Sequence, residues 1–237
     1  MKGRISSLQS LGAADGPGVR YLVFMQGCLL RCIYCHNPET WQASGGFEMT
    51  AEEIFHKIRR CIPYFGDSGG VTVSGGEPLL QSKFVADLFS LCRRSNIHTA
   101  IDTSGIGANE YTEELLNLTD LVICDVKFIS DELYRKYCSG SLSEVFKFLS
   151  LTEKLSVPLW IRHVVVPGIT DSEEEISEII RLVSPYSNLR KIELLPFRKL
   201  CTAKYDTLCI PFPLSAVPEC DNNTIQRLKA MIPKYLQ

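Results

Sequence analysis

The sequence predicts an α/β fold in which strand–helix units build a parallel sheet. Two observations lead there. Short apolar, β-branched runs alternate with stretches of helical period along most of the 237 residues. Residues of unusual type sit just after the predicted strands, where α/β sheets collect their ligands. About six units are countable by period. Six are too few to close an eight-stranded barrel, which leaves a partial barrel or an open doubly wound sheet.

The first predicted strand, Arg20 to Met25 (Arg-Tyr-Leu-Val-Phe-Met), is apolar enough to be buried on both faces. Thr50-Ala51-Glu52-Glu53 is a capping box, and Ile54, Ile58 and Cys61 or Ile62 follow at helical spacing. Gly69 to Ser74 is a short β-branched strand, and Phe84, Leu88 and Leu91 carry the next helix. The strand His98 to Asp102 precedes a helix around Glu110 to Leu118. Asp120 to Lys127 is another strand, followed by helical patterns from Ser130 to Tyr137 and from Leu142 to Leu155. Leu159 to Val166 is a near-continuous apolar strand. Asp171 reads as the cap of a helix carrying Ile176, Ile179, Ile180 and Val183. Lys191 to Leu195 is the last strand, and Ile225, Leu228 and Ile232 mark a closing helix. No repeat, linker or low-complexity segment interrupts the pattern, so one domain over residues 1–237 is expected.

Composition narrows the function. An apolar content of 45% allows one sizeable core. The net charge of −2, without a long basic run, points away from nucleic acid. Lys57, Arg59 and Arg60 read as a solvated helix face. The N-terminus (Met1-Lys2-Gly3-Arg4-Ile5) lacks the apolar core of a signal peptide, and no stretch approaches membrane-spanning length. Ten cysteines without an export signal fit a reducing cytoplasm, where thiols serve metals or packing.

Cys28, Cys32 and Cys35 stand at C-x3-C-x2-C spacing in a loop leaving the first strand. Three thiolates can each bind one iron of a four-iron cluster, and the fourth iron is left without a protein ligand. Other chemistries fit parts of the same stretch. A zinc knuckle would use the three thiols plus His36, although structural zinc prefers a closed set of four ligands. Cys32-Ile33-Tyr34-Cys35-His36 matches the haem-attachment pattern, which needs export and leaves Cys28 without a role. Three cysteines serving only as small hydrophobes sit badly beside Arg31 and His36.

The other rim motifs have physical uses. Gly75 and Gly76 let the backbone approach a ligand closely, or they make a plain turn. Glu77 directly after them suits a turn poorly unless its carboxylate has a partner. Asp125 and Lys127 stand two apart on a predicted strand and so share a face, as an ion pair or as holders of a charged ligand. Cys124 points the other way, into the core. Asp102-Thr103-Ser104-Gly105, Arg162 and His163 complete the rim.

Taken together, the cysteine motif with Tyr34 before its third cysteine and Gly75-Gly76-Glu77-Pro78 resemble the radical S-adenosylmethionine (SAM) superfamily. Within it, six stretches resemble the pyruvate formate-lyase activating enzymes, a family that activates glycyl radical enzymes. They are Asp15-Gly16-Pro17-Gly18-Val19-Arg20, Gln26-Gly27-Cys28, Tyr34-Cys35-His36-Asn37-Pro38, Asp125-Val126-Lys127, Trp160-Ile161-Arg162 with Val164 to Gly168, and Glu193 to Phe197. The motifs run in order from residue 4 to about residue 200, which is most of the chain.

The resemblance implies a partial (β/α)6 barrel of radical SAM type and a 4Fe–4S cluster on Cys28, Cys32 and Cys35. It places SAM against Tyr34, Cys35, His36, Gly76, Glu77, Asp125, Val126 and Lys127. A monovalent cation is implied at Asp102, Thr103, Asp125 and the backbone of Ile123. Arg198 stands where relatives carry a histidine that meets SAM. Asp15 is placed near the partner's glycine loop. The implied reaction is reductive cleavage of SAM and hydrogen abstraction from a glycine of pyruvate formate-lyase, with a flavodoxin or ferredoxin as electron donor and a monomeric activase. Activases of a dehydratase or of anaerobic ribonucleotide reductase are the neighbouring alternative. Many of those carry extra cysteine runs after the first motif, and residues 37–50 contain no cysteine. Cys201, Cys209 and Cys220 are spaced too widely for a second cluster.

Overall fold

In the computed structural model, which describes residues 1–237, eight strands form one sheet. In chain order they are β1 (Lys2–Gly12), β2 (Arg20–Met25), β3 (Phe47–Thr50), β4 (Gly70–Gly75), β5 (His98–Thr103), β6 (Leu121–Asp125), β7 (Leu159–Val165) and β8 (Leu189–Pro196). Across the sheet the order is β3-β1-β2-β4-β5-β6-β7-β8, so β3 and β8 are edges and the barrel stays open. The six strands from β2 to β8 pair in parallel. These are the six read from the sequence. The two unread strands, β1 and β3, pair antiparallel on the β2 side and extend the sheet.

Helices α1 (Ala51–Arg59), α2 (Ser82–Arg94), α3 (Thr112–Leu116), α4 (Asp131–Cys138), α5 (Leu142–Lys154), α6 (Glu173–Val183), α7 (Thr202–Thr207) and α8 (Asn222–Lys229) complete the chain. The capping box at α1 is formed: Glu53 N–H donates to Thr50 Oγ1 at 3.2 Å, and Thr50 N–H donates to Glu53 at 2.7 Å. The cap of α6 differs from expectation. Ser172 accepts from the Glu175 amide at 3.1 Å, while Asp171 accepts from Gly168 N–H in the turn before it. β6 also ends at Asp125, so Lys127 lies just beyond the strand.

Alternation along the parallel strands sorts the residues. Val71, Val73, Ile101, Val122, Cys124, Ile161 and Ile192 are buried in a main core of 56 buried residues on the helix-covered side. The inner face carries a three-residue apolar layer, Ala100, Leu121 and Ile123, with Trp160 packed against it. Above that small layer Ser74, Asp102, Asp125 and Arg162 line an open space, together with Phe24 and Val164.

Candidate active site

The space is a cavity of about 400 Å³ at the carboxyl ends of the strands. It brings together Cys28, Cys32, Cys35, Tyr34, His36, Gly75, Gly76, Asp102, Thr103, Asp125, Lys127, Arg162 and Asp15. Residues far apart in sequence meet because most of them sit in or just beyond the carboxyl halves of neighbouring parallel strands, while Asp15 comes from the loop before β2.

The cysteine loop leaves β2 and is held by backbone hydrogen bonds on both sides. Gly27 N–H donates to Thr40 O at 2.8 Å, Arg31 N–H to Cys138 O at 2.8 Å and Ile33 N–H to Tyr137 O at 3.0 Å. The last two use carbonyls that the end of α4 leaves free. All three thiols are free. Burial pushes Cys28 up to about 12 and Cys35 to about 11, while a hydrogen bond with Cys138, and then burial, raises Cys32. They therefore stay protonated until a metal displaces the protons. No three His, Cys, Asp or Glu side chains come close enough to share one metal ion. That spacing disfavours the zinc knuckle; one thiolate on each of three irons does not require such convergence. The donor set fits a cluster with one open iron.

Gly75 and Gly76 bring β4 against this loop. Gly75 has φ +102°, and a Cβ there would lie 2.6 Å from Met25 N. A Cβ on Gly76 would strike the carbonyl of Gly27. Only glycine lets the backbone pass here.

Glu77 departs from the expected contact with SAM. It is 1% exposed and absent from the cavity wall. Its carboxylate accepts from Thr103 Oγ1 (2.5 Å), Ser104 N (2.9 Å), Ser104 Oγ (2.5 Å) and Leu79 N (3.0 Å). Burial still raises its pKa against those donors. Its partner is the β5 loop, which it ties to the Gly-Gly turn. Val126 also lies off the wall: its N–H donates to Arg162 O, and its carbonyl faces His163 Nδ1 at 2.8 Å. Arg198 points elsewhere, to Cys220 O at 2.6 Å and Glu219 at 3.7 Å. Its carbonyl, instead, accepts from His36 Nε2 at 2.8 Å.

Asp125 and Lys127 meet at 2.7 Å, and the ammonium lies 5.9 Å from the Tyr34 ring centroid. Burial, the largest single influence, opposes the Lys127 charge, but Asp125 together with Cys32, Tyr34 and Cys138 raises its pKa. Arg162 is the hub of the inner wall. It reaches Glu193 at 2.7 Å, Asp102 at 3.5 Å, Asp15 at 3.8 Å and the carbonyl of Ala14 at 2.5 Å. Burial raises Asp102 to about 7, with Arg162 opposing and Asp125 and Asp15 adding. The Asp15 loop is held from below as well, since Thr72 Oγ1 donates to Asp15 O at 2.6 Å and the buried Arg20 donates to Thr72 at 2.9 Å.

Two supports of the loop carry no local sequence signal. Lys204 of α7 donates to Asn37 Oδ1 at 2.8 Å and to Glu39 at 2.5 Å, while Tyr205 packs edge-on against Trp41 at 6.1 Å. Asn37 N–H in turn donates to the Cys35 sulfur at 3.4 Å.

The sequence over residues 22–183 matches the family described as the radical SAM superfamily. The chain belongs to that superfamily. It is 44% identical over 236 residues to a pyruvate formate-lyase-activating enzyme of Clostridium pasteurianum, covering 99% of both chains. It is 40% identical to that of Staphylococcus epidermidis, over 95% of this chain and 93% of the other. Among solved structures, a domain of the pyruvate-formate lyase-activating enzyme from Bacteroides vulgatus superposes with a TM-score of 0.57 at 22% identity. It covers 70% of this chain and 94% of that one, and supports the fold.

Proposed function

We propose that this radical SAM protein activates pyruvate formate-lyase by generating a glycyl radical on it. The observation that carries the proposal is the gathering of three free thiols, the Gly75-Gly76 turn and the Asp125–Lys127 pair around one cavity. Near full-length similarity to the two activating enzymes supports the choice of partner.

Cys28, Cys32 and Cys35 would hold the 4Fe–4S cluster, and Tyr34, Cys35, His36, Gly76, Asp125 and Lys127 would hold SAM. When bound, reduced cluster and SAM supply an electron and a 5′-deoxyadenosyl radical that takes hydrogen from a glycine α-carbon. The chain's own residues bind, orient and exclude water. Asp125 and Lys127 offer one negative and one positive group, complementary to an amino-acid zwitterion. Gly75 and Gly76 remove side-chain bulk where backbone must meet a ligand. Asp102, Thr103, Asp125 and the Ile123 carbonyl are the set for a monovalent cation, a hard ion that prefers oxygen. Arg162 and Thr72 hold Asp15 at the cavity wall, in position for an incoming glycine loop.

A flavodoxin or ferredoxin would donate the electron to a monomeric activase, and ten free cysteines support a cytoplasmic setting. No helix is long and apolar enough to cross a membrane. The test is product analysis. After anaerobic reconstitution with iron and sulfide, and reduction, the protein should convert SAM to 5′-deoxyadenosine and methionine. A reconstituted protein that leaves SAM intact would contradict the proposal.

A further inference from the structure

Arg20 opens β2 and is wholly buried, and each of its five N–H groups finds an acceptor. Nε donates to Thr72 Oγ1 at 2.9 Å, and Nη2 donates to Val71 O at 2.5 Å and His98 O at 3.5 Å. Nη1 donates to Pro17 O at 3.4 Å and meets His98 Nδ1 at 3.1 Å. None of these acceptors is a carboxylate. Burial lowers the Arg20 pKa only to about 10, so the group stays charged at neutral pH. A buried cation without a bound carboxylate depends on every neutral acceptor it has.

The donors fix the direction of the chain. A guanidinium cannot accept, so His98 Nδ1 and Thr72 Oγ1 must. His98 is then neutral, with its proton on Nε2. Burial, and then the Arg20 charge, hold its pKa below the ordinary value in the same sense. Asp120, just before β6, pulls the other way, but its carboxylate accepts from Thr99 N–H at 2.8 Å and Thr99 Oγ1 at 3.1 Å. Thr72 has one hydroxyl proton and donates it to Asp15 O at 2.6 Å. Gly16 lies directly on this pair, since a Cβ there would be 3.4 Å from Arg20 Nε and 3.6 Å from Thr72 Oγ1. His98, Arg20 and Thr72 all stay off the cavity wall. The chain thus reaches the Asp15 loop without a hydrogen bond to the residues assigned to cluster and SAM.

We propose that His98 is a positioning residue for engagement of the partner polypeptide: its Nδ1 accepts from Arg20 and completes the Arg20–Thr72 chain that fixes the Asp15 loop. The inference rests on the role proposed above for Asp15, and gives a part in it to a histidine at the amino end of β5, outside the cavity. Without that acceptor a buried guanidinium N–H is left unpaired. Val71 O and His98 O belong to strands of the sheet, so the Asp15–Pro17 loop is the part free to shift in response.

The experiment compares the parent, His98→Leu and His98→Asn, each reconstituted and reduced without air, in two assays at neutral pH. One follows SAM cleavage without partner; the other follows glycyl radical formation against the concentration of pyruvate formate-lyase. Leucine offers no acceptor, whereas asparagine Oδ1 stands close to where Nδ1 stood. His98→Leu should raise the KM for pyruvate formate-lyase by about tenfold, with SAM cleavage within about twofold of the parent. His98→Asn should restore the parental KM. An unmoved KM in His98→Leu, a loss that falls equally on SAM cleavage, or no recovery in His98→Asn overturns the inference. Should His98→Leu fail to fold, Thr72→Val and Thr72→Ser decide: valine cannot donate to Asp15 O and must raise the KM, and serine must not. Nitrogen NMR of the imidazoles, with His98→Asn identifying the signal, reads the tautomer without any partner. A bare Nδ1 is expected, and a proton on Nδ1 at neutral pH overturns the inference. A parent that cleaves SAM but makes no radical on pyruvate formate-lyase would instead sink the choice of partner, which keeps the two failures apart.

Discussion

Cys32 is both a proposed iron ligand and a buried side chain, and alanine separates the two roles. Cys32→Ala removes one of three thiolates, so the reconstituted variant should lose its iron–sulfur absorbance and SAM cleavage. Its fold should lose only about 1 kcal/mol, the cost of a small cavity, read by denaturant unfolding. Retained cleavage would contradict the ligand assignment. Glu175, outside the site, gives a pH test. Burial raises its carboxyl to about 7 from 4.5, so the folded state holds a proton that the unfolded chain has released. The stability from that proton is full below pH 4.5 and is lost as pH rises through 7. Glu175→Gln should therefore gain stability relative to the parent at pH 8, by about 1 kcal/mol after allowance for solvent screening, and not at pH 4. Equal effects at both pH values would refute it. At this scale the cysteine motif was legible because its spacing is local. The role of Glu77 was not, because its donors Thr103 and Ser104 stand 26 and 27 residues away and only the adjacency of β4 and β5 brings them in. The backbone contact of Arg198, whose carbonyl reaches His36, carries no sequence signature.

Elements hold the residues in register, and two substitutions probe them. Thr50→Ala removes the side-chain acceptor of the α1 capping box and should cost about 1 kcal/mol in unfolding free energy, with SAM cleavage retained. An unchanged stability would show that the cap contributes nothing. Gly76→Ala drives a methyl group into the carbonyl of Gly27 and must displace the cysteine loop or the Gly-Gly turn. It should lower SAM cleavage by at least about tenfold while the protein stays folded, since misplacement by an ångström is costly in catalysis. Near-parental cleavage would show that the close approach is dispensable. The six parallel strands were legible because burial on both faces makes them continuous apolar runs. β1 was not. Its apolar residues Ile5, Leu8 and Leu11 recur every three, and the pairing with β2 shifts register between Ile5 and Ser7 and again between Gln9 and Gly12. Those irregularities break the period-two signal that would have marked a strand. α7 is six residues long and is held by contacts remote in sequence, with Asn37, Glu39 and Trp41, and by Phe212 against Tyr205.

The whole molecule is an open sheet, with β3 and β8 at its edges, that gathers polar side chains at the carboxyl ends of six parallel strands. Its small inner apolar layer fills the floor, and the larger outer core under the helices carries the stability. The Asp15 loop, tied down by Thr72, Arg20 and Arg162, stands at the wall of a cavity of about 400 Å³. This division explains why fold and chemistry were readable from separate parts of the sequence: hydrophobic periodicity reported the walls, and the motifs at strand ends reported the site. The most direct test uses the reconstituted, reduced protein with SAM and purified pyruvate formate-lyase under strict exclusion of air, followed by electron paramagnetic resonance. A glycyl radical doublet on pyruvate formate-lyase is the expected result, dependent on SAM and absent with Cys32→Ala. Formation of 5′-deoxyadenosine without any doublet would contradict the assignment of pyruvate formate-lyase as the substrate, and no SAM cleavage at all would contradict the radical chemistry itself.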